Sequence, residues 1–505
     1  MNASHRDSLR TLGELLVGFH PTYVRCSPST PIRSVCIDSR RLQPGDLFVA
    51  QRGSTFDGHN FLESAAQAKA SAALIACNHV SAPSIPHVCI PSPEEAIPII
   101  AGRYYNWPNK RLSMTGITGT NGKTTTSFLF GSILQQAGYR YLRIGTSGNW
   151  VVNQEEPAEF TTPFPLELQA LFSLAVQRGA SHAVMEVSSH ALDQQRVAGL
   201  EFRCVALTSF SQDHLDYHGN FASYLAAKCR LAEQHLTTTG TAIAAIDEQE
   251  QASFFLQHVR SPAVVLRVSK GPHPEAEIFA DSWRQSPLGI QAKVRTPWGS
   301  LNIRSPLLGS FNLDNILTAA ALALSFEIEP DSIEQALMNS AGAPGRMERV
   351  QIATENQPTV FVDYAHTPDA VERALTLLRQ TTSGRLIVVL GCGGNRDRAK
   401  RPKMAVIASR ESDVFVATSD NPRSEDPEQI LDDMLGNGTH CRNVVRICDR
   451  QNAIRHAIMD AKPSDTVLIA GKGHENYQII GTKKIYFDDR EQARLALLAR
   501  QQAQT

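Results

Sequence analysis

The stretch LSMTGITGTNGKTTTSFLFGSILQQAG, residues 112–138, decides the fold. Its first apolar run predicts a strand and its last part predicts a helix, with a glycine-rich loop between them. A loop of this kind can cradle phosphates with backbone N–H groups at the helix N-terminus. The Walker A pattern G-x-x-x-x-G-K-[ST] would need a glycine at position 117, where this chain has Ile117. The loop is therefore a variant of the phosphate-binding loop.

In this interpretation the loop backbone holds the phosphates, Lys123 neutralises them, and Thr124 is a ligand of Mg²⁺. The alternative is a glycine-rich turn in which Thr124 only starts a helix. The coincidence of strand, glycines, Lys-Thr and helix favours a nucleotide triphosphate. The predicted nucleotide-binding residues of the loop are Gly119, Thr120, Asn121, Gly122, Lys123, Thr124 and Thr125.

The composition is that of an ordinary globular protein. A length of 505 residues predicts about three domains. A formal net charge of −1, with scattered basic residues, argues against a nucleic-acid or membrane-surface protein. The nine cysteines include no C-x-x-C pair, which favours buried free thiols in a reducing compartment. We expect a soluble, cytoplasmic monomer that binds neither nucleic acid nor membrane.

The length and spacing of the apolar runs predict an α/β protein with three domains. Residues 1–110 read as a small N-terminal α/β domain, with a helix expected at Phe61–Ala72. Residues 111–343 alternate strand-length runs with helical patterns, as in a parallel sheet covered on both faces, and form the central P-loop-type ATPase domain. A Gly- and Pro-rich boundary near SAGAPGRMERV precedes a Rossmann-like α/β domain at residues 344–505.

Unusual polar residues come directly after the predicted strands of both larger domains. In open α/β sheets, ligands bind beyond the carboxyl ends of the strands. We therefore expect two ligands to meet between these domains. The residues are Gly119–Thr124, Glu186, Asp213, His214, Asp363, Arg396, Asp420–Arg423 and Gly471–Glu475.

Glu186 interrupts the apolar run HAVMEV, where a strand would carry Val or Ile. A carboxylate at a strand end suits Mg²⁺, which prefers a few carboxylates with phosphate oxygens and water. An ordinary glutamate at a loop edge is the alternative. By pattern alone, His214 is a structural loop histidine and Lys228, in ASYLAAKCRLAE, is a surface lysine on a helix.

Several segments together resemble the Mur ligase family, which attaches amino acids to the peptidoglycan precursor and is related to the folylpolyglutamate synthetases. Their order and spacing are similar to those of the tripeptide-forming members. The segments are DSRRLQPGDLFVA, TGTNGKTT, TTP at 161–163, MEVSSHALDQQRV, SQDHLDYHGNFASYLAAK, GSFNLDNILTAA, GRME, DYAHTPDA, GCGGNRDRAKRP, DNPR and GKGHE.

The resemblance implies a reaction centre with ATP and two Mg²⁺ ions. Lys123 and Glu186 belong to it, His214 helps to hold the second Mg²⁺, and Lys228 is carbamylated to N6-carboxylysine. Carbamylation turns a cation into a carboxylate-like metal ligand, and it requires the uncharged amine. Thr124, Glu186, His214 and Lys228 are thus the expected metal-binding residues.

The resemblance also implies where the substrates bind. Asn312 and Asn315 would contact adenine, although Ser310 or Asn312 could instead be the N-cap of a helix. Arg346 and Asp363 would reach the phosphates and ribose. The UDP-N-acetylmuramoyl-dipeptide would contact Ile37, Ser39, Ser54, Thr55, Phe56, Thr161, Thr162, Ser188, Gln194 and Arg196. The added amino acid would contact Arg396, Asp420, Asn421, Pro422, Arg423, Gly471 and Glu475.

The expected reaction transfers a phosphoryl group from ATP to the carboxylate of UDP-N-acetylmuramoyl-L-alanyl-D-glutamate, and an amine then attacks the acyl phosphate. Within the family, D-N-P-R marks enzymes that add meso-diaminopimelate rather than L-lysine. The second carboxylate of diaminopimelate needs a bidentate cation, whereas Arg423 would repel the ammonium of lysine. A surface Arg423 paired with Glu425 or Asp426 is the alternative interpretation.

Three other functions are weaker. A GTPase would need an N-K-x-D segment, which NKRL does not supply. A folylpolyglutamate synthetase would not be expected to carry DNPR or the uridine-binding domain. A catalytically dead binding protein should have lost Lys123, Glu186 or Lys228, and all three are present.

Overall fold

The computed structural model describes residues 9–53, 56–79, 83–211, 213–247, 250–286, 288–352, 356–436 and 443–504. The chain divides into two compact units. The first comprises Met1–Lys123 and Ala137–Arg267, and the second comprises Thr124–Gln136 and Val268–Thr505. None of the helices in the described ranges has the length and apolar character that a membrane span requires.

The N-terminal part of the first unit is built on a five-stranded sheet with the order β2-β7-β6-β5-β4, in which only β2 is antiparallel. Leu47, Leu74 and Val88 belong to its fully buried core. Its elements are β1 (Arg10–Thr11), α1 (Leu12–Leu16), β2 (Thr22–Val24), β3 (Pro31–Ile32), β4 (Val35–Cys36), β5 (Leu47–Val49), α2 (Leu62–Gln67), β6 (Ala72–Ala76), β7 (His87–Ile90), α3 (Pro93–Tyr105) and 3₁₀ turns at Ser39–Arg41, Gly58–Phe61 and Pro108–Arg111.

The predicted helix at Phe61–Ala72 is wrong at its C-terminal end. Helix α2 ends at Gln67 because Lys69 adopts a left-handed φ of 57°, and the Ala70 N–H bonds back to the Ala65 carbonyl. This arrangement satisfies the last carbonyls of the helix and stops it. Ala72 instead begins the buried strand β6.

The rest of the first unit is the parallel sheet predicted around the glycine-rich loop. The strand order is β9-β12-β8-β13-β14, all parallel, with the short antiparallel strands β10 and β11 outside β9. The elements are β8 (Ser113–Thr118), β9 (Tyr141–Ile144), β10 (Asn149–Val151), β11 (Glu155–Glu156), α5 (Pro165–Gln177), β12 (His182–Glu186), α6 (Ser189–Asp193), β13 (Phe202–Leu207), α7 (Leu215–His218), α8 (Phe221–His235), β14 (Leu236–Ala245) and α9 (Glu250–Gln257). The helix that follows the loop, α4 (Lys123–Gln136), belongs to the second unit except for Lys123.

The second unit contains a run of antiparallel strands that the sequence patterns did not reveal. Strands β16, β17 and β18 pair as two successive hairpins, and the end of β15 pairs with β16. The elements are β15 (Val264–Ser269), whose residues up to Arg267 belong to the first unit, β16 (Ile278–Ser286), β17 (Gly289–Thr296), β18 (Gly299–Ser305), α10 (Ser310–Ser325) and α11 (Pro330–Asn339).

The C-terminal part of the second unit has the order β19-β20-β24-β21-β22-β23, parallel except for β19. This parallel sheet matches the Rossmann-like prediction. Its elements are β19 (Glu348–Val350), β20 (Thr359–Asp363), α12 (Pro368–Thr381), β21 (Leu386–Leu390), α13 (Lys400–Glu411), β22 (Val414–Ala417), α14 (Pro427–Leu435), β23 (Val444–Arg446), α15 (Arg450–Asp460), β24 (Thr466–Ala470), the hairpin β25 (Tyr477–Ile480) and β26 (Lys483–Tyr486), and α16 (Asp489–Gln504).

Candidate active site

The loop after β8 has the backbone of a phosphate-binding turn. Gly119 and Gly122 adopt φ values of 144° and 88°, which side-chain-bearing residues rarely adopt. A Cβ atom on Gly119 would also lie 2.2 Å from Thr208 Oγ1. These two glycines, rather than a glycine at the position of Ile117, give the variant loop its shape. Thr124 is buried in the first turn of α4, and Thr125 follows it.

Hydroxyl groups in the segment after β13 form hydrogen bonds with the backbone of this loop. Thr208 Oγ1 donates to the carbonyls of Thr118 and Asn121 at 3.1 and 2.6 Å, and Ser209 Oγ accepts from the Asn121 N–H at 3.0 Å. Thr120 Oγ1 accepts from the Ser211 N–H at 3.0 Å. The loop is therefore held in its shape by protein contacts. Sequence reasoning missed these supporting hydroxyls.

Lys123 folds back over its own loop. Its Nζ donates to the carbonyls of Gly119 and Thr120 at 2.8 and 3.0 Å. The cation thus lies directly against the backbone that would surround the phosphates. The neutralisation of phosphates by Lys123 stays a prediction.

Lys228 is buried, so the interpretation as a surface lysine is wrong. Only 2% of the residue is exposed, and its Nζ donates to the Gly119 carbonyl at 2.8 Å and lies 4.6 Å from the centre of the Tyr224 ring. Burial, and next the Lys123 cation, lower the pKa of Lys228 well below its usual value. The uncharged amine that carbamylation needs is therefore favoured at this position.

Glu186 is the last residue of β12 and has no exposed surface. Its Oε1 accepts from the Thr146 N–H at 3.1 Å, and its Oε2 accepts from Thr146 Oγ1 at 3.0 Å. A Cβ atom on Gly145 would lie 2.1 Å from Glu186 Oε1, so only glycine leaves room for the carboxylate. The interpretation as an ordinary solvated glutamate is wrong.

Next to Glu186 the structure brings together most of the predicted dipeptide-binding residues. Thr162 Oγ1 donates to the Glu186 carbonyl at 2.9 Å and accepts from the Ser188 N–H at 3.0 Å. Arg196 donates to the Thr162 carbonyl at 2.8 Å and twice to Gln194 Oε1. Thr161 Oγ1 lies 3.0 Å from Thr146 Oγ1. The guanidinium of Arg196 thus lies next to Thr162, which bonds to the end of β12, and its role in binding the dipeptide stays a prediction.

His214 is half-exposed and has a left-handed φ of 51°. Its Nε2 lies 3.5 Å from Asp213 Oδ2, and its ring packs edge-on against His190 at 4.7 Å. His218 lies 5.5 Å from His190 between ring centres. Sequence reasoning did not single out His190, whose position in MEVSSHAL directly follows the Glu186 strand.

The predicted adenine-side residues lie in α10 of the second unit. Neither Ser310 nor Asn312 caps this helix, because the N-cap is Gly309 with a φ of 98°. Asn312 Nδ2 donates to the Leu308 carbonyl at 2.7 Å, and Asn315 Nδ2 donates to Asn312 Oδ1 at 3.0 Å. Both amides are almost fully buried. Thr126 Oγ1 donates to Asn315 Oδ1 at 3.3 Å, so both amides are fixed by protein contacts, and their role on the adenine side stays a prediction.

Asp363 ends β20, and its carboxylate accepts from the N–H groups of Met347 and Ala365 at 2.7 and 2.8 Å. Burial raises its pKa above the usual value, although Arg346 and the two N–H donors act in the opposite direction. The guanidinium of Arg346 lies 4.8 Å from the Tyr364 ring centre. The segments GRME and DYAH are therefore joined into one cluster, and their contact with ATP stays a prediction.

The DNPR segment, Asp420–Arg423, follows β22 and is mostly buried. The predicted alternative, an Arg423 paired with Glu425, is wrong. Glu425 binds Arg398 and Arg401 at 2.9 Å each, while Arg423 Nη1 donates to the Gly394 carbonyl at 2.8 Å. Arg423 has a left-handed φ of 54°. No carboxylate of the described residues forms a salt bridge with this guanidinium.

Arg396 and Arg423 both flank Gly393. A Cβ atom added at Gly393 would lie 3.0 Å from Arg423 Nη1 and 3.8 Å from Arg396 Cγ. Gly471 lies on the other side of the segment, where an added Cβ atom would lie 2.7 Å from Asp420 Oδ2. Pro422 is buried, and its carbonyl leaves no room for a side chain at Gly394. The Arg423 guanidinium, the side-chain stem of Arg396 and the Asp420 carboxylate therefore each lie next to a glycine.

Glu475 joins this group through a residue that the sequence analysis missed. Lys472 has no exposed side-chain surface and donates to Glu475 Oε2 at 3.0 Å. Asn421 Nδ2 donates to the same oxygen at 2.8 Å. The flanking glycines of GKGHE and its place after the apolar strand β24 were the available signals for a buried lysine.

The predicted uridine-end residues are only partly described. Ile37 is half-buried, and Ser39 begins the 3₁₀ turn capped by Asp38. Phe56 is 50% exposed, as a ring available to a ligand would be. Ser54 and Thr55 lie outside the described residues.

The residue types at the predicted metal positions suit Mg²⁺ if Lys228 is carbamylated. The buried Glu186 carboxylate and the Thr124 hydroxyl are hard oxygen ligands of the kind that Mg²⁺ prefers. In the described part of the chain, no three His, Cys, Asp or Glu side chains cluster as a metal site. A carbamylated Lys228 would add the missing anion, so the donor chemistry and the buried amine agree.

Comparison with known proteins gives matches along almost the whole chain. Residues 31–104 match the "Mur ligase family, catalytic domain", residues 117–323 the "Mur ligase middle domain", and residues 345–473 the "Mur ligase, glutamate ligase domain". A UDP-N-acetylmuramoyl-L-alanyl-D-glutamate--2,6-diaminopimelate ligase of Synechococcus elongatus is 44% identical, over 92% of this chain and 94% of that protein. The ligase of the same name from Geobacillus thermodenitrificans is 41% identical, over 97% of this chain and 99% of its own.

The solved structure of a UDP-N-acetylmuramoyl-L-alanyl-D-glutamate--2,6-diaminopimelate ligase is 30% identical to this chain. It matches with a TM-score of 0.72, over 98% of this chain and 100% of its own. The predicted α/β fold with three domains is confirmed. Sequence motifs, the loop geometry and nearly full-length similarity lead to one conclusion: the chain belongs to the Mur ligase family, the ATP-dependent amide ligases of peptidoglycan synthesis.

Proposed function

We propose that this chain is the ligase that adds meso-diaminopimelate to UDP-N-acetylmuramoyl-L-alanyl-D-glutamate. The γ-phosphoryl group of ATP passes to the glutamate carboxylate, and ADP leaves. The amine of diaminopimelate attacks the acyl phosphate, an amide forms, and phosphate and a proton are released. The similarity to ligases of this name, at 41–44% identity over nearly the full length, supports the assignment.

The first unit supplies the groups around the phosphoryl acceptor. The loop Gly119–Lys123 holds the phosphates, with Lys123 neutralising their charge. Arg196, beside Thr162, orients the dipeptide so that its carboxylate is presented to the nucleotide. Fixed donors of this kind act without reorganising during the reaction.

Two Mg²⁺ ions would be held by Thr124, Glu186, His214 and the carbamate of Lys228. When bound, they would supply positive charge to the phosphate oxygens. Asn312, Asn315, Arg346 and Asp363 would hold the adenine, ribose and phosphates. Ile37, Ser39, Ser54, Thr55 and Phe56 would hold the uridine end.

The proposal includes predictions of the domain boundaries, the cellular location and the oligomeric state. The domain boundaries are residues 1–110, 111–343 and 344–505. The enzyme acts in the cytoplasm, where ATP is available, and it acts as a monomer.

The observation that carries the choice of amino acid is the environment of Arg423. Its guanidinium donates to backbone carbonyls, while the nearby Glu425 is occupied by Arg398 and Arg401. A cation that forms no ion pair with the carboxylates of the described residues is suited to bind a substrate carboxylate, which L-lysine lacks at its distal end. Asp420 and Glu475 supply the negative charge that a distal ammonium needs.

Arg423→Ala should raise the KM for diaminopimelate by about 10- to 100-fold, the effect of a lost charge-assisted hydrogen bond of ~1.5–3 kcal/mol. The KM for ATP should change by less than about twofold, because the variant removes no nucleotide contact. ADP release in a coupled assay, with each substrate varied in turn, measures both constants.

Arg398→Ala is the matched control. Arg398 is 67% exposed and binds Glu425 in the same region, so its loss should leave the KM for diaminopimelate nearly unchanged. An Arg423→Ala enzyme with the wild-type KM for diaminopimelate would refute the role of Arg423.

A further inference from the structure

A fully buried lysine contacts two residues of the proposed diaminopimelate site. Lys472 follows β24, has no exposed surface, and donates to Glu475 Oε2 at 3.0 Å and to Asn421 Oδ1 at 3.3 Å. Its Nζ also lies 5.4 Å from the centre of the Tyr477 ring. Burying an ammonium is costly unless it is paired and hydrogen-bonded. No step of the proposed reaction uses the Lys472 cation.

The hydrogen bonds around Asn421 fix the orientation of its amide. The Ile479 N–H donates to the Asn421 side chain at 3.0 Å. A backbone N–H can only donate, so the atom facing it is the amide oxygen. Lys472, which also can only donate, faces the same oxygen. The amide nitrogen must therefore point to Glu475 Oε2, 2.8 Å away.

In this arrangement the two carboxylate oxygens of Glu475 have different hydrogen-bond partners. Oε2 accepts from both Lys472 and Asn421, at 3.0 and 2.8 Å. Among the described residues, Oε1 has only a long contact of 3.4 Å with the Tyr477 hydroxyl. Oε1 is thus the oxygen with capacity for a further donor. The oxygen of Asn421 is already occupied by two donors, so Asn421 acts through Glu475 rather than on a substrate ammonium.

We propose that Lys472 is a positioning residue of the amino-acid site. It locks Glu475 and Asn421 into one arrangement, in which Glu475 Oε1 faces and accepts an ammonium group of diaminopimelate. This inference rests on the proposed function. It adds a specificity-determining residue that makes no contact with the substrate itself.

Lys472→Met keeps the length of the side chain and removes its charge and donors. The KM for diaminopimelate should rise about 10- to 100-fold, as for the loss of a buried charge-assisted hydrogen bond. The turnover at saturating diaminopimelate, and the KM values for ATP and the nucleotide dipeptide, should change by less than about twofold. Lys483→Met, which removes an exposed lysine of the neighbouring hairpin, is the control and should change none of these constants.

A double-mutant cycle separates positioning from a structural role. If Lys472 acts only through Glu475, the double variant Lys472→Met/Glu475→Gln should have the same KM for diaminopimelate as Glu475→Gln alone. Additive losses would overturn the proposal. So would a Lys472→Met enzyme with an unchanged KM for diaminopimelate, or one that has lost ATP binding in a thermal-shift assay, since that loss indicates a general structural defect.

An assay of the wild-type enzyme distinguishes failure of the proposed function from failure of the inference on Lys472. If it does not consume diaminopimelate, the proposed function fails and this inference fails with it. If it does, and the Lys472 variants behave like wild type, only the inference fails.

Discussion

Lys228→Ala should lose ligase activity by at least about 100- to 1000-fold, the range seen when a preorganised electrostatic group is removed. The structure gives the reason, because the Nζ of Lys228 lies 2.8 Å from the Gly119 carbonyl in the phosphate-binding loop. An ammonium there would oppose the metal ions, whereas a carbamate would bind them. Burial and the Lys123 cation lower the pKa of Lys228, so a larger fraction of the amine is uncharged and able to add CO₂ at neutral pH.

Added short carboxylates distinguish a carbamate from a structural lysine. Acetate or formate can enter the space left by Lys228→Ala and should restore part of its ADP release. Arg230→Ala, on the same helix and at a partly exposed ion pair with Asp193, should keep near wild-type activity and show no response to acetate. Full activity of Lys228→Ala without any additive would exclude the carbamate.

Glu186→Gln should reduce turnover by about 100- to 1000-fold while costing little stability. The amide keeps the shape of the side chain, its oxygen can still accept from the Thr146 N–H, and its nitrogen can donate to Thr146 Oγ1. Only the negative charge that Mg²⁺ requires is lost. Turnover measured over a range of Mg²⁺ concentrations, together with thermal unfolding, separates the two effects.

Glu156→Gln is a suitable control for Glu186→Gln. Glu156 lies on the short strand β11 of the same unit, in a long, partly exposed ion pair with Arg178 at 3.6 Å. Its substitution should leave turnover unchanged. Wild-type turnover of Glu186→Gln at saturating Mg²⁺ would remove Glu186 from the metal site.

The phosphate-binding loop was predictable because its signals are local. Strand, glycines and helix follow one another within residues 112–138, and the backbone of Gly119 and Gly122 behaves as that spacing indicates. Glu186 had a similar local signal, since a charged residue in an apolar strand is unusual, and its role as a metal ligand stays a prediction. In both cases the local pattern and the tertiary environment agree.

The burial of Lys228 could have been predicted from the spacing of apolar residues in its helix. The buried residues of α8 include Tyr224, Ala227, Lys228 and Leu231, which is the spacing of a helix face turned to the core. Lys228 therefore occupies an apolar position of the helix, a signal that the sequence contained. Lys472 and the Thr208 hydroxyl were harder to find, because their roles depend on partners distant in sequence.

The antiparallel strands β16–β18 were also missed. The exposed residues of β17 include Gln291, Lys293 and Arg295, which alternate with buried positions. This period of two, typical of a sheet with one solvated face, differs from the continuous apolar runs by which the parallel strands were found.

The most direct test of the account is a competition between two amino acids. Wild-type enzyme, ATP, Mg²⁺ and UDP-N-acetylmuramoyl-L-alanyl-D-glutamate are incubated with equal concentrations of meso-diaminopimelate and L-lysine, and the products are resolved by mass. The account predicts that the diaminopimelate-containing tripeptide is nearly the sole product, formed with one ADP per amide bond. Equal amounts of the lysine product, or amide formation without ADP release, would contradict it.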